Sequence, residues 1–225
     1  YVGEIFQSLA RADGLDLPLA EFSKAVVPGV TLVSHESASL ADIVQRMLKY
    51  STNLTAETVG MAATKTRLGM AVPLAESAAQ MSRWASERFG AAGLSLVDHS
   101  GLSDRSRISA GDMVRILVKA RNSTELNALL KDIKMRNAKG NLAQSAPTGF
   151  RAKTGTLNFV AGLGGYVTTA EGRELAFAIF SADTARRTLI PVAQRERPKG
   201  ASGWNRRAKI LQYKMLNRWC RQYRS

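Results

Sequence analysis

The sequence predicts an α+β protein in which helices come first, a run of strands follows and one helix closes the chain. Before about residue 145 most of the periodic segments have helical spacing, and the period changes after Gly149, where strand-like segments follow one another until residue 182. Helical spacing then returns from Trp204. Helices followed by consecutive strands are typical of α+β folds. The 225 residues suffice for one large domain or two small ones.

The helices are placed by their caps and by apolar spacing. A short helix is predicted to end near Gly14, and the alternation in residues 29–35 predicts a short strand. Ser39 caps a helix that stops near residue 51, and its apolar side follows helical spacing: Leu40, Ile43, Val44, Met47 and Leu48. A second helix starts at once, a third runs from residue 74 to Gly90, and Ser109 caps the next.

Three strands are predicted in the second half, over residues 151–157, 159–169 and 173–182. A tight turn at residues 169–172 makes the last two antiparallel. The closing helix should cover residues 204–223, with one apolar stripe packed on the strands: Trp204, Ala208, Leu211, Met215 and Trp219. The sequence thus predicts a helical region at about 37–145, and a sheet with a C-terminal helix at about 150–225.

The net charge of +14 is concentrated at the C-terminus. From residue 186 onward there are twelve Lys and Arg and one acidic residue, Glu196. Such a tail suits a nucleic acid, an anionic membrane surface or an anionic polymer, or is simply a solvated amphipathic helix. No nucleic-acid recognition motif is present, so nucleic acid is not predicted as a partner.

Membrane spans, disulfides and metal sites have little support in the sequence. No run of 18 or more apolar residues exists, so no segment is predicted to span a membrane. A single cysteine, Cys220, excludes a disulfide within the chain and a multi-cysteine metal site. His35 and His99 lack metal-ligand spacing, and loop or surface roles are expected for them. These residues therefore give no indication of a metal site.

A lysine, two threonines and a glycine stand together at the start of the predicted strands, as Lys153, Thr154, Gly155 and Thr156. A glycine within a strand often marks close approach by a ligand. One cation and two hydroxyls beside it would recognise a carboxylate, while backbone N–H groups could hold an oxyanion. By itself the triplet is also compatible with an exposed lysine near a strand start.

A second polar group, Ser51, Thr52 and Asn53, stands at the junction of two predicted helices. A loop there can aim side chains outward, although Asn53 could simply be a helix cap. A Ser-x-Asn triplet followed about a hundred residues later by Lys-Thr-Gly is the arrangement of penicillin-binding proteins and class A β-lactamases.

Four longer segments carry a more specific resemblance: "MLKYSTNLTAE", "DHSGLS", "RAKTGTLNFVAGLGGYVTT" and "GRELAFAIFSA". In this order they resemble the D-alanyl-D-alanine carboxypeptidase/endopeptidases among the low-molecular-mass penicillin-binding proteins, over roughly residues 30–183. The closing "WNRRAKILQ" resembles the C-terminal helix of that family. The resemblance implies a β-lactamase/penicillin-binding-protein-like fold, with an antiparallel sheet flanked by helices and an adjoining helical region.

The resemblance also implies a function and roles for the site residues. It implies a periplasmic serine-type D-Ala-D-Ala carboxypeptidase or endopeptidase that acts on peptidoglycan stem peptides through an acyl-enzyme and binds β-lactam antibiotics. It also implies that the reaction uses neither a metal nor an organic cofactor. Ser51 would relay a proton to the leaving amine, Asn53 would hold the acyl-side amide and Lys153 would set the local electrostatics. Thr154 and Thr156 would bind the terminal carboxylate, and the Thr156 N–H would complete the oxyanion hole.

One family feature is missing, the nucleophilic serine with a lysine three residues later. No serine here has that lysine; the nearest pattern pairs Ser8 with Arg11, which cannot act as a base. We therefore expect residues 1–225 to be the C-terminal portion of a penicillin-binding domain that works with the N-terminal portion of the same protein. The alternatives are a degenerate relative, or a non-catalytic binding module whose basic tail grips an anionic cell-envelope polymer.

Overall fold

The computed structural model describes residues 1–25, 29–122, 125–134, 149–196 and 198–223, and it contains two compact units, Tyr1–Ser37 and Ala38–Ser225. In the first unit, helix α1 spans Val2–Ala12, and Gly14 follows it with a φ of 84°. The predicted first helix is thus confirmed. The strand predicted at residues 29–35 is wrong: this segment is exposed and extended without a partner strand in the described part of the chain. An isolated strand cannot satisfy its backbone groups by pairing.

The second unit begins with a helical region whose boundaries follow the predicted caps. Its helices are α2 Leu40–Tyr50, α3 Asn53–Leu68, α4 Leu74–Phe89, α5 Ala110–Arg121 and the short α6 Leu126–Leu129. The Oγ atoms of Ser39 and Ser109 accept hydrogen bonds from the backbone N–H three residues later, at 3.2 and 2.9 Å. Gly90 ends α4 in a left-handed conformation. Residues 135–145 of the predicted helical region lie outside the described residues.

The sheet has four antiparallel strands in the order β1-β2-β3-β4. They are β1 Lys131–Asp132, β2 Gly149–Leu157, β3 Val160–Thr168 and β4 Glu174–Ala182. The three longer strands and the turn at Gly172, where the Gly172 N–H donates to the Thr169 carbonyl at 3.0 Å, confirm the prediction. Strand β1 was not predicted, because two exposed residues carry no periodicity that could reveal a strand.

Helix α8, Ala201–Gln222, covers one face of the sheet after the short helix α7 Thr184–Thr188 and a 3₁₀ turn at Val192–Gln194. Leu216 of α8 is fully buried in the core of this face, together with Phe150, Ala152, Leu163, Val167, Phe177 and Ile179. The predicted stripe needs one correction, since Leu211 is 52% exposed. Gln212 is buried in its place, and its Nε2 donates to the Ala161 carbonyl at 3.1 Å, which leucine could not do.

The helical region covers the other face of the sheet. Tyr166 of β3 is buried there, and its hydroxyl donates to the carbonyl of Leu117 in α5 at 2.6 Å. A side chain at Gly164 would contact Met113 and Leu117, so α5 lies directly against this face. The sheet is therefore enclosed between α8 and the helices. None of the helices in the described part of the chain is long and apolar enough to cross a membrane.

Candidate active site

Ser51 occupies the tight junction between α2 and α3. Its N–H closes α2 by donating to the Met47 carbonyl at 2.8 Å, and its backbone is left-handed, with φ 57° and ψ 49°. Thr52 then begins α3 by accepting from the Ala56 N–H at 3.1 Å. A left-handed conformation costs a residue with a Cβ about 1–2 kcal/mol. This junction holds Ser51 exposed at the border between the helical region and the sheet.

Lys153 reaches Ser51 from the sheet, although 102 positions separate the two residues. The Lys153 Nζ donates to the Ser51 Oγ and, at 2.8 Å, to the Thr154 carbonyl. Lys153 lies opposite Gly164 in the strand register, and therefore on the face that the helical region covers. The two predicted site residues thus meet directly.

The environment of Lys153 makes its ammonium group a stronger acid than a lysine in water. Burial lowers the pKa of the Lys153 ammonium below its usual range, and the positive charge of nearby Lys131 lowers it further. Lysine with a lowered pKa gives up a proton more readily than lysine in water. The contact with Ser51 therefore joins a hydroxyl to an activated proton donor.

The outer edge of β2 beside Lys153 has no partner among the described strands, so it offers a place where a peptide can pair. The N–H of Ile133 donates to the Phe150 carbonyl at 2.8 Å, so the backbone groups of Phe150 point toward β1. Because N–H and C=O groups alternate sides along a strand, those of Thr154 and Thr156 point to this same edge. Strand β1 pairs only with residues 151 and 152. Among the described strands, none pairs with residues 153–157 at this edge.

Gly155 leaves free space over β2, on the face that carries Lys153. A Cβ added at Gly155 would meet no atom within 4 Å. Thr154 and Thr156 are both exposed, and their register partners Leu163 and Ala161 place them on the α8 face. The hydroxyls and the Lys153 ammonium therefore flank the open edge from opposite faces.

Asn53 is the exposed first residue of α3, two positions from Ser51. Within the described residues, no hydrogen bond joins its side chain to Ser51 or Lys153. Its predicted convergence with the other two residues, and the roles assigned to all of them, stay predictions.

Two residues near the site were missed by the sequence analysis. Lys131 belongs to the short strand β1, for which the sequence carries no signal. Phe180 of β4 is 41% exposed and lies against Gly162, the register partner of Gly155. Alternation along β4 could have placed Phe180 on this face, opposite the buried side chains of Phe177 and Ile179.

The "DHSGLS" segment is fastened to α3 near the Ser51 junction. The Glu57 carboxylate accepts hydrogen bonds from the backbone N–H groups of His99 and Ser100, at 3.0 and 3.1 Å. His99 Nε2 is 2.8 Å from the Ser77 Oγ, but Ser77 is fully buried and thus closed to a substrate. Burial lowers the pKa of the His99 imidazole below its usual range. The contact between His99 and Ser77 is therefore structural. The His99 ring packs directly over Gly60, where a Cβ would lie 2.2 Å from it.

No group of three His, Cys, Asp or Glu side chains in the described ranges is arranged to hold a metal ion. The groups that the candidate site presents are the hydroxyl of Ser51, the amine of Lys153 and the backbone amides of the β2 edge. A serine hydroxyl, a lysine of lowered pKa and an open strand edge together can bind an extended peptide and move a proton beside it.

Comparisons with known proteins identify the family of this chain. Residues 1–203 match the D-Ala-D-Ala carboxypeptidase 3 (S13) family. Carboxypeptidase Rv3627c of Mycobacterium tuberculosis is 30% identical over 191 residues, which cover 78% of this chain and 40% of that protein. Carboxypeptidase DacB of Mycolicibacterium smegmatis is 28% identical over 165 residues, 68% of this chain and 36% of that one. The chain thus spans about two-fifths of the length of these curated relatives.

Solved structures show the same fold. Penicillin-binding protein 4 of Haemophilus influenzae, solved in complex with a novel β-lactam, superposes with a TM-score of 0.67 at 20% identity, covering 96% of this chain and 51% of that one. A penicillin G-acylated predatory endopeptidase of Bdellovibrio bacteriovorus superposes with a TM-score of 0.53 at 16% identity, covering 97% and 58%. The predicted fold class is confirmed. Since the family match covers most of the sequence, this chain belongs to the D-Ala-D-Ala carboxypeptidase 3 (S13) family.

Proposed function

We propose that this chain supplies two of the three catalytic segments of a serine-type D-Ala-D-Ala carboxypeptidase or endopeptidase. The intact protein would cleave the terminal D-Ala-D-Ala bond, or a crosslink, in periplasmic peptidoglycan stem peptides through an acyl-serine. The observation that carries this proposal is the hydrogen bond from Lys153 to Ser51 beside an open strand edge. Family membership and two relatives that are named carboxypeptidases support it.

Ser51 and Lys153 would form a proton relay. The Lys153 ammonium donates to the Ser51 Oγ, so the Ser51 hydroxyl proton is free to point at a leaving amine. When that amine takes the hydroxyl proton, Lys153 would replace it, which the lowered pKa of Lys153 makes easier. General acid catalysis of this kind contributes typically 10²–10⁴-fold in rate.

The substrate would lie along β2 as an additional strand. The Thr156 N–H points out of the open edge and would donate to the oxyanion, while the hydroxyls of Thr154 and Thr156 would bind the terminal carboxylate. Asn53 would hold the acyl-side amide, and the space over Gly155 admits the peptide backbone. The β-lactam complex of the Haemophilus influenzae protein supports β-lactams as ligands, and we place them at this edge.

The nucleophile of this proposal lies in the N-terminal portion of the same protein. No serine of the chain precedes a lysine by three positions, and the chain corresponds to about two-fifths of its curated relatives. The acyl-serine would thus form on a residue outside this sequence, at the open edge of β2.

Labelling of the full-length protein with fluorescent penicillin tests this function. We expect the intact protein to label, and the Lys153→Met variant to label about 10²–10⁴ times more slowly, as loss of a general acid predicts. The control variant Lys65→Met removes an exposed lysine of α3 instead and should label normally.

The isolated 225-residue chain should show no penicilloyl adduct by mass spectrometry, and an adduct on any of its serines would contradict the assignment of the nucleophile. A full-length protein that never labels would instead favour the non-catalytic module that grips an anionic envelope polymer through its basic tail.

A further inference from the structure

The outer side of α8 carries a straight row of four cations, Arg207, Lys214, Arg218 and Arg221, which we call the α8 cationic row. All four side chains are exposed. Their spacings of seven, four and three residues return to the same side of a helix with 3.6 residues per turn. Helix α8 contains no Asp or Glu, so no acidic side chain of the helix interrupts the row.

Among the residues that the structure describes, no ion pair neutralises the charges of the row. In the described part of the chain, none of the four has a carboxylate within 4.0 Å, whereas Arg121 and Arg151 pair with Glu174 and Asp132. A row of uncompensated cations attracts anions over about 10 Å at ordinary ionic strength. The row is therefore a site of high positive potential.

The geometry of the row fits a flat surface. From Arg207 to Arg221 it is about 21 Å long, at 1.5 Å per residue. The opposite side of α8, at Gln212 and Leu216, is buried against the sheet, which fixes the orientation of the helix. All four cations can then contact one plane together. Lys153 projects from the other face of the sheet, so a surface bound at the row does not cover it.

Leu211 indicates what kind of surface this is. It is 52% exposed beside the row, so one large apolar side chain stands among the cations. Helices that bind at a lipid interface combine Lys and Arg with exposed apolar residues in this way. The row itself contains no aromatic side chain on which nucleic-acid bases could stack.

We propose that the α8 cationic row docks this chain on an anionic phospholipid surface, with Leu211 entering the boundary between head groups and acyl chains. The proposal is independent of the catalytic function, because it uses no residue of the candidate active site.

Sedimentation of the full 225-residue chain with vesicles tests the docking. We expect binding to vesicles of equal parts phosphatidylglycerol and phosphatidylcholine at low salt, none to pure phosphatidylcholine, and progressive loss as salt is raised. Each cation near an anionic surface should contribute about fivefold, so changing all four residues of the row to Gln should weaken binding by more than about 100-fold. A matched variant neutralises four exposed cations elsewhere: Arg46, Lys65, Arg83 and Arg88.

The control separates a local row from net charge, because both variants lose four positive charges. If both lose binding equally, net charge alone is responsible and the row is refuted. If a soluble polyphosphate binds through the row as tightly as vesicles at equal phosphate, the partner is a polyanion, not a membrane. Failure of the full chain to bind anionic vesicles at low salt would also overturn the proposal. Circular dichroism verifies folding, which these exposed substitutions should preserve.

Discussion

Replacing Ser51 with glycine or with alanine separates the backbone role of this residue from that of its hydroxyl. Both variants lose the hydrogen bond with Lys153, so they differ only in the Cβ at a position where φ is 57° and ψ is 49°. An L-residue enters this region at a cost of about 1–2 kcal/mol, which glycine avoids. Glycine gives back about 0.4–1 kcal/mol through the greater entropy of the unfolded chain.

The Ser51→Gly variant should therefore be more stable than Ser51→Ala by about 1 kcal/mol, the difference of these two terms. For a chain of this size that corresponds to about 2–4 °C in melting temperature. Thermal unfolding of the two variants measures it. In the full-length protein, both variants should label with fluorescent penicillin at least about 100-fold more slowly than the wild type, because neither can relay a proton.

Two results would refute this reasoning. An alanine variant at least as stable as the glycine variant would mean that the left-handed backbone at Ser51 carries no strain. A glycine variant that labels at the wild-type rate would mean that the hydroxyl takes no part in proton transfer, whatever its contact with Lys153.

Three further predictions follow from the sheet and its surroundings. Gly165→Ala should be strongly destabilising in urea titrations, since its Cβ would lie 2.1 Å from a backbone oxygen. Gly155→Ala should fold normally but slow the penicillin labelling of the full-length protein, because its Cβ would occupy the free space over β2. Similar stability of the two variants would contradict this prediction. Lys131→Gln removes a positive charge that lowers the pKa of Lys153, so the pKa of Lys153 should rise. The fall of the labelling rate of the full-length protein at alkaline pH should then begin at a higher pH. Lys131→Arg keeps the charge and should leave this pH profile unchanged. Leu216→Ala should cost about 2–5 kcal/mol of unfolding free energy, because this fully buried leucine leaves a cavity; a cost below about 1 kcal/mol would show that the α8 face is loosely packed.

Most of the helices and strands could be predicted because their signals are local. Serine caps at Ser39 and Ser109, glycine at Gly90 and strand periodicity in residues 151–182 all act within a few positions along the chain. The two wrong predictions concern features that depend on contacts with distant parts of the chain. Residues 29–35 alternate like a strand but have no partner strand among the described residues. Gln212 is buried where Leu211 was predicted to be, because its side-chain amide donates to the Ala161 carbonyl of the sheet.

Some features of the candidate site can also be predicted from local sequence, and others cannot. The Ser-x-Asn and Lys-Thr-Gly triplets can be read from the sequence, because the residue types that this chemistry needs stand side by side in each of them. Three features of the site depend instead on strand register and on how the helices pack on the sheet. They are the contact between Ser51 and Lys153, the effect of the Lys131 charge on the pKa of Lys153, and the exposure of Phe180. By itself the sequence determined which groups are present and which local elements carry them. Only the tertiary structure decided which of them meet, because contacts across a hundred residues are fixed by packing and pairing rather than by neighbouring residues.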